Sequence, residues 1–190
     1  MPRLTDTRRK MLRTTAQLLR RQGYAATSWR QVVAEADAPW GSQSHHFPQG
    51  KEQLAAEAVA MAGERYRRLL VEAFAGVSPA EAVARWAEVA ARELEASGWA
   101  DGCPVATVTL ETAHTSDRLA EACSAAFTGW RTALADAIER HGGDRAAAEA
   151  QATVVLASIE GALLLARADR TPEPLHTVAA QLGAVLAADG

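Results

Sequence analysis

The sequence predicts an all-α protein of about nine helices. Alanine is the most frequent residue and runs of β-branched or aromatic residues are few, a composition that favours helix over strand. Capping residues, prolines at first helical positions and glycines at helix ends recur along the chain and divide it into helical segments. No segment predicts a strand convincingly. At 190 residues the chain is long enough to bury a core and can form one domain or two.

The first helix is predicted from about Asp6 to Gln22. Thr5 or Asp6 can cap its start, and Gly23 stands where a helix usually stops. Apolar residues and one threonine recur at spacings of three and four and predict a single buried stripe. The stripe comprises Met11, Leu12, Thr15, Leu18 and Leu19.

Two short helices follow. The first is predicted over Ser28–Glu35 with Thr27 as its N-cap, and the second over Pro39–Phe47 with Pro39 at the first helical position. Pro48 prevents the second from continuing. Two helices with this connection have the dimensions of a helix-turn-helix unit, whose second helix enters the major groove of DNA.

The rest of the chain is predicted to form a helical body. A long helix should run from near Lys51 to about Ala75, after which the helix signals recur regularly. Residues 1–50 are therefore predicted to form one domain and residues 51–190 a second. The later helices are expected at about 79–96, 104–114, 116–141, 144–168 and 171–187. Their starts are marked, in the same order, by Ser78-Pro79, Pro104, Ser116 or Asp117, Asp144 and Thr171-Pro172. His141-Gly142-Gly143 marks the end of the helix predicted over 116–141.

Charge is distributed unequally between these parts. Residues 1–51 hold nine Lys and Arg against three Asp and Glu, a net charge of +6. The remainder holds eleven bases against twenty acids, a net charge of −9. A basic end on an acidic body indicates a polyanionic partner for the first segment, although an imbalance on solvated helix faces is the alternative.

Several classes of protein are disfavoured. No apolar signal segment precedes residue 22, and the apolar stretch Thr153–Ala168 is short for a bilayer and is interrupted by Glu160. Cys103 and Cys123 match no disulfide or metal framework, so a reducing, cytoplasmic setting is expected. No catalytic or phosphate-binding constellation has convincing spacing. Neither an enzyme nor a cofactor is therefore predicted.

Motifs on both sides of residue 50 resemble a known family. The N-terminal motifs resemble the DNA-binding domain of TetR-family repressors, and others resemble the LmrA/YxaF-like branch of that family. The motifs that resemble the DNA-binding domain are Gly23-Tyr24, Thr27-Ser28, Arg30 and His45–Leu54. The motifs that resemble the LmrA/YxaF-like branch are Ala38-Pro39, Gly41-Ser42, Pro48–Leu54 and Asp101–Ala113. The resemblance implies a nine-helix homodimer in which helices one to three bind DNA, helices four to seven surround a ligand, and the last two helices pair the subunits.

The resemblance also implies which residues contact DNA. Phosphate contacts fall on Thr27, Ser28, Arg30, His46 and Lys51, and the groove-facing positions are Trp40, Gly41, Ser42, Ser44 and His45. This chain departs from the family pattern at Asp37, Trp40, Gln43 and Ser44, where Gly, a basic residue, Leu or Ile, and Tyr are usual. A buried Gln43 without a partner would cost about 1–3 kcal/mol, so we expect it to find a hydrogen bond or turn outward. The departures leave the operator sequence open.

Candidate ligand-binding residues lie in the body. Large aromatic side chains with polar neighbours suit a small-molecule pocket, although each aromatic alone can equally be core. The candidates are Trp86, Glu93, Trp99, Thr107, Glu111, Phe127, Trp130 and Arg131. No metal site is predicted, because the adjacent His45 and His46 diverge by about 100° on a helix. Cys103 precedes a proline, so a structural turn is favoured over a redox sensor.

These observations predict a ligand-responsive transcriptional repressor. Its partners would be palindromic operator DNA, a small aromatic or drug-like effector suggested by analogy alone, and a second copy bound through the last two helices. Charges introduced at Leu163 and Leu182 are expected to give monomers. The alternative is a helical small-molecule-binding protein without a DNA role, which the charge distribution and the motif around Lys51 disfavour.

Overall fold

The computed structural model describes residues 6–142 and 144–188, and within these ranges the chain forms nine α-helices and no strand. This confirms the predicted fold class. Thr5 and Gly143, predicted as a cap and a stop, lie outside the described residues. The helices are α1 (Asp6–Ala26), α2 (Trp29–Glu35), α3 (Ser42–His46), α4 (Gly50–Ala73), α5 (Pro79–Ala96), α6 (Pro104–Thr112), α7 (Asp117–Glu139), α8 (Arg145–Asp169) and α9 (Glu173–Ala188).

The buried stripe of α1 is the predicted one. All five of its members are buried, from Met11 to Leu19. Gly23 interrupts the helix with φ 81° and ψ −177°, a conformation essentially restricted to glycine. The regular helix therefore ends where the sequence predicts, and a further helical segment carries the chain to Ala26.

Helix caps account for most of the boundaries. The side chains of Ser78 and Asp144 accept hydrogen bonds from backbone amides of α5 and α8, which confirms both predicted caps. At α2 the prediction is wrong by one residue. The hydroxyl of Ser28 caps this helix by accepting from the amide of Gln31 at 3.2 Å. Thr27 is buried instead, and its hydroxyl donates to the carbonyl of Gly23 at 2.6 Å.

The third helix is shorter than predicted. It spans Ser42–His46, whereas the sequence favoured Pro39–Phe47. Gly41 has φ 100°, which lies in the left-handed region and cannot belong to a right-handed helix. The carbonyl of Pro39 accepts from the amide of Ser42 at 3.1 Å, so Pro39 belongs to a turn that precedes α3.

The described residues fall into two compact units. Unit 1 runs to Glu64 and also contains Pro104–Phe127; within it α1 packs against α2 and α6. Unit 2 consists of Arg65–Cys103 and the residues from Thr128 onward; within it α5 and α8 pack against α9 and against each other. The predicted boundary at residue 50 separates two functional domains, whereas these two units are defined by compactness alone. The predicted boundary is not tested by them and stays a prediction.

Helix α8 is both long and apolar. Its 25 residues make it long and apolar enough to cross a membrane by length and composition. The apolar stretch that looked too short in the sequence is part of this longer helix. One such helix is weak grounds for a membrane span, because core helices pass the same test, and α8 packs against α5 and α9 within unit 2.

Candidate DNA interface and aromatic cluster

The turn before α3, together with α3 itself, presents its side chains to solvent. Trp40 is 69% exposed, and none of the five α3 residues is buried. Ser44 and His45 are exposed, and the hydroxyl of Ser44 donates to the carbonyl of Gly41 at 2.9 Å. A short polar helix without buried residues is suited to contact a partner, because its own side chains are not used in the core.

Gln43 satisfies its side chain locally. Its Oε1 accepts from the backbone amide of Gly41 at 2.7 Å. This bond caps an amide at the start of α3, a role that the left-handed Gly41 cannot fill with a side chain of its own. Of the two expectations for this departure from the family pattern, the hydrogen bond is the one observed.

Phe47, directly after α3, anchors the helix. Its ring is 1% exposed and lies 6.2 Å from the ring of Trp29 on α2. The guanidinium of Arg8 lies 4.8 Å from the Phe47 ring centroid and also forms an ion pair with Glu57 on α4. Trp29 is partly exposed and packs against the Phe47 ring. Residues of α1, α2 and α4 thereby fix the position of α3.

His46 lies between the exposed face and this anchor. Its ring contacts Phe47 with centroids 6.4 Å apart, and His45 with centroids 4.9 Å apart. Burial lowers the pKa of His46, and the charges of His45 and Arg8 lower it further. A neutral imidazole can still donate one hydrogen bond to a phosphate oxygen.

Lys51 is held in place by the end of α1. Its Nζ donates to the carbonyl of Ala25 at 3.4 Å and lies 4.2 Å from the centroid of the Tyr24 ring. Burial lowers the pKa of the Lys51 ammonium, and the negative charge of Glu111 opposes this shift. The side chain is therefore oriented before any partner arrives, at the first turn of α4.

Glu111 connects α6 to the same end of α1. Its Oε2 accepts from the amide of Ala25 at 2.7 Å. A Cβ added to Gly23 would stand 1.7 Å from Oε1 of Glu111, so glycine is required for this close approach as well as for its φ. Among the predicted ligand residues, Glu111, Thr107 and Phe127 all belong to unit 1.

The predicted DNA contacts differ in their availability. Arg30 is exposed, as are Ser28, Trp40, Gly41, Ser44 and His45, while Ser42, His46 and Lys51 are partly exposed. Thr27 is 2% exposed, and its hydroxyl already donates a hydrogen bond to the carbonyl of Gly23. This burial argues against a side-chain contact between Thr27 and a phosphate.

Unit 2 contains a cluster of three aromatic rings, Tyr66, Trp86 and Trp130, which we call the aromatic cluster. The Tyr66 ring lies 4.9 Å from the Trp130 ring and 6.1 Å from the Trp86 ring. The indole N–H of Trp86 donates to the hydroxyl of Tyr66. Burial raises the pKa of the Tyr66 phenol, which stays protonated. The rings come from α4, α5 and α7.

The structure brings together only part of the predicted ligand set. Trp86 and Trp130 meet through Tyr66, which the sequence analysis missed. Glu93 and Arg131 are exposed, and Trp99 lies in the loop after α5 with a φ of 65°. Arg65, Arg67 and Arg68 flank Tyr66 in the sequence, so its neighbours give no sign that it packs between two tryptophans. The signal that could have found it is the need of a buried Trp86 indole for a hydrogen-bond acceptor.

Comparisons with known proteins agree with this geometry. Residues 11–58 match the model of the bacterial regulatory proteins of the tetR family, and residues 79–181 match the C-terminal domain of LmrA/YxaF-like transcriptional regulators. The chain belongs to the TetR family. The resemblance stated from the motifs is thereby confirmed, including its LmrA/YxaF-like branch.

Individual relatives extend this TetR-family match over nearly the whole chain. The HTH-type regulator YxaF of Bacillus subtilis is 33% identical over 178 residues, which cover 93% of each chain. LmrA of the same organism is 34% identical over 171 residues, or 90% of this chain and 91% of its own. A TetR regulator from Rhodobacter sphaeroides shares the fold with a TM-score of 0.83 at 21% identity, covering 94% of this chain and 98% of the other.

Family membership settles the class of activity. The protein is a DNA-binding transcriptional regulator of the helix-turn-helix type and not an enzyme. TetR-family regulators bind operator DNA and form dimers.

Proposed function

We propose that this regulator is a repressor that binds a palindromic operator as a homodimer and releases it when a small molecule binds the body of the chain. The observation that carries the proposal is the exposed polar surface of α3, lying in a segment with a net charge of +6. Positive charge near DNA supplies sequence-independent affinity through the phosphates, and exposed side chains on a short helix supply base contacts.

The proposed DNA interface follows from exposure. We assign Ser28, Arg30, His46 and Lys51 to the phosphates. The groove-facing residues are Trp40, Gly41, Ser42, Ser44 and His45. Thr27 is left out because its hydroxyl is buried and already donates to Gly23. Phosphate contacts would position α3, and the groove-facing residues would select the sequence.

The first test is binding to DNA from upstream of the chain's own coding region. Fluorescence anisotropy at about 150 mM salt should show affinity at least about 1,000-fold higher for one palindromic site than for a scrambled duplex. Affinity for the site should fall steeply as salt rises. If no site from this upstream DNA binds more tightly than the scrambled duplex, regulation of the chain's own gene is contradicted. If the protein binds neither duplex, the alternative of a helical small-molecule-binding protein is favoured.

We place the dimer interface on α8 and α9. Val154, Leu164 and Leu165 on α8 and Val185 on α9 are each more than half exposed. Val154 and Leu165 lie eleven residues apart, about three helical turns, and thus on one face of α8. An exposed apolar face of this kind is what pairing with a symmetry mate would bury.

Of the two residues chosen from the sequence to test this interface, Leu182 is unsuitable. Leu182 is 7% exposed and belongs to the core of unit 2, where α9 packs against α5 and α8. A charge at Leu182 would therefore unfold unit 2 and say nothing about pairing. Leu163 is partly buried, whereas its neighbours Leu164 and Leu165 are exposed.

The corrected test replaces Leu164 and Leu165 together by glutamate. We expect light scattering to show a dimer for the wild type and a monomer for the double variant, with helical content unchanged. Operator affinity should fall by about 100-fold or more, since a monomer engages one half-site. Leu110→Glu is the matched control, because Leu110 is 77% exposed on α6 in unit 1 and belongs to neither helix of the proposed interface. A double variant that stays dimeric would remove α8 from the interface.

The remaining parts of the proposal concern the effector and the setting. We propose that residues 1–50 bind DNA, that residues 51–190 bind the effector and pair the subunits, and that the protein acts in the cytoplasm. Support for the effector site comes from the aromatic cluster, which provides apolar walls with a few polar groups.

A further inference from the structure

Two side chains from distant parts of the sequence hold one residue at the end of α1. Oε2 of Glu111 on α6 accepts from the amide of Ala25 at 2.7 Å, across 86 positions of sequence. Nζ of Lys51 on α4 donates to the carbonyl of the same Ala25 at 3.4 Å. Helix α6 packs against α1 within unit 1, so all three residues belong to one compact unit. Ala25 therefore links a carboxylate of α6 to a proposed phosphate contact.

The backbone around Ala25 has the shape that this carboxylate requires. Gly23 has a φ of 81°, and a Cβ at this position would stand 1.7 Å from Oε1 of Glu111. The carbonyl of Gly23 accepts from the hydroxyl of Thr27 at 2.6 Å, and the amide of Thr27 donates to the carbonyl of Tyr24 at 3.2 Å. These bonds close the chain into a turn, and Glu111 holds that turn from outside.

The turn presents two groups to Lys51. The ammonium lies 4.2 Å from the centroid of the Tyr24 ring and bonds to the Ala25 carbonyl. Both groups belong to residues next to Gly23 and Ala25, the positions that Glu111 contacts. A shift of this turn would therefore move the groups that orient Lys51.

A second contact from the same part of the chain reaches the first turn of α4. The hydroxyl of Ser116, which precedes α7, donates to the carboxylate of Glu52, the residue after Lys51. The same hydroxyl accepts from the amide of Leu119 at 3.2 Å, so the start of α7 fixes its position. Side chains from residues 104–127 thus hold both the end of α1 and the start of α4.

The charge of Glu111 does not favour DNA binding. Residues 1–51 carry a net charge of +6, and a carboxylate near a phosphate contact repels the phosphate. Glu111 can favour DNA binding only through its hydrogen bond. A lysine held in one orientation before DNA arrives loses less side-chain freedom on binding, and that loss is otherwise large for a lysine.

We propose that Glu111 is a positioning residue for DNA binding. Its hydrogen bond to Ala25 fixes the end of α1, and the end of α1 orients Lys51 toward a phosphate. This rests on the proposed function, because it takes Lys51 as a phosphate contact. The role is distinct from the ligand contact predicted for Glu111 from the sequence, and it does not require that contact.

Two substitutions separate the reach of the Glu111 side chain from its charge. Glu111→Gln keeps the reach and an acceptor oxygen but removes the charge. Glu111→Asp keeps the charge but is shorter by one methylene group, so its carboxylate is withdrawn from the Ala25 amide. Operator affinity is measured by anisotropy at about 150 mM salt, where the loss of one phosphate contact costs about fivefold.

The reach of the side chain should decide the outcome. We expect Glu111→Asp to bind operator about fivefold more weakly than the wild type, and Glu111→Gln to bind within about twofold of the wild type or more tightly. Equal affinity of the two variants, or weaker binding by Glu111→Gln than by Glu111→Asp, would overturn the proposal. Urea denaturation of the same samples confirms that each variant is folded under the conditions of the binding assay.

A double-mutant cycle shows whether Glu111 acts through Lys51. Lys51→Met removes the charge that Glu111 is proposed to orient. Adding Glu111→Asp to Lys51→Met should therefore lower operator affinity by less than about twofold. A role in stability alone would not couple the two residues in operator affinity. The same fivefold loss in both backgrounds would overturn the proposal.

Glu121 provides the matched control. It is exposed on α7 in unit 1, and Glu121→Asp and Glu121→Gln should both bind operator within about twofold of the wild type. Binding of operator by the wild type tests the proposed function separately. A wild type that binds no operator overturns the proposed function together with this inference. A wild type that binds operator, with equal affinity of the two Glu111 variants, overturns this inference alone.

Discussion

The proposed DNA-facing surface of unit 1 and the aromatic cluster of unit 2 are built in opposite ways. The proposed DNA contacts fall within residues 28–51, and their side chains are exposed or partly exposed. The aromatic cluster takes its rings from α4, α5 and α7. Its tryptophans are almost fully buried, at 6% exposed for Trp86 and 2% for Trp130.

This difference determines what each surface can tolerate. The exposed residues of α3 and of the turn before it contribute little to the free energy of unfolding, so Trp40 and Ser44 can depart from the family pattern without cost to the fold. The rings of the aromatic cluster are part of the core of unit 2, where a change of volume costs about 1–5 kcal/mol. Under the proposed function, specificity for DNA can change with little effect on stability, whereas specificity for an effector is tied to stability.

The largest expected effect lies beneath the exposed surface, at Gly23. We expect Gly23→Ala to lower the free energy of unfolding by about 2–4 kcal/mol. Its φ of 81° and ψ of −177° strain any other residue by about 1–3 kcal/mol, and the new Cβ would displace Glu111 from its bond to Ala25. Urea denaturation at a fixed protein concentration measures the change.

Gly183→Ala is the matched control for this substitution. A Cβ at Gly183 would meet the Cβ of Ala80 at 3.9 Å, an ordinary contact inside unit 2. We expect unchanged stability or a gain of about 0.4–1 kcal/mol. Equal effects of the two substitutions would show that the Gly23 turn and Glu111 do not support the DNA-facing surface.

The second expected effect links the two regions of the molecule. If a ligand at the aromatic cluster weakens operator binding, then operator must weaken binding of that ligand by the same factor, about 5- to 150-fold. Calorimetric titration of an aromatic ligand with and without saturating operator measures this coupling directly. Calorimetry is preferred to tryptophan fluorescence, because Trp40 lies in the proposed DNA interface. Ligand affinity that is unchanged by operator would separate the two regions and contradict regulation by that ligand.

The sequence predicted the fold better than it predicted the aromatic cluster. Helix caps are local, so Ser78 and Asp144 located the starts of α5 and α8 from a few neighbouring residues. The start of α3 was placed too early because Pro39 suits a first helical position, whereas the backbone conformation of Gly41 cannot be read from its neighbours.

The aromatic cluster could not be assembled from local patterns. Tyr66 and Trp130 are 64 positions apart and meet only through tertiary packing. Glu111 was assigned to the ligand on the basis of its neighbours in sequence, yet its carboxylate contacts the end of α1, 86 residues away. Its proposed role with the ligand stays a prediction.

The smallest expected effect concerns Lys51, and it separates charge from packing in the DNA-facing surface. The ammonium lies over the Tyr24 ring and near the carbonyl of Ala25, so Lys51 can serve as a phosphate contact or as a brace for the end of α1. Lys51→Met keeps an unbranched apolar side chain over Tyr24 and removes the charge, whereas Lys51→Ala removes both.

If Lys51 contacts a phosphate, both variants lower the slope of log affinity against log salt by about one, and affinity falls nearly evenly across DNA sequences. If Lys51 only braces α1, the salt slope stays the same, and Lys51→Ala alone loses stability. Arg85→Ala removes the same charge from an exposed position on α5 in unit 2. It should change the salt slope and the free energy of unfolding much less than the Lys51 variants do. We expect Lys51 to serve both as a phosphate contact and as a brace for the end of α1. Burial orients its side chain, while the negative charge of Glu111 helps to keep it charged. We therefore expect the change in slope in both variants and a loss of stability in Lys51→Ala alone. An unchanged slope in Lys51→Met would remove Lys51 from the DNA interface.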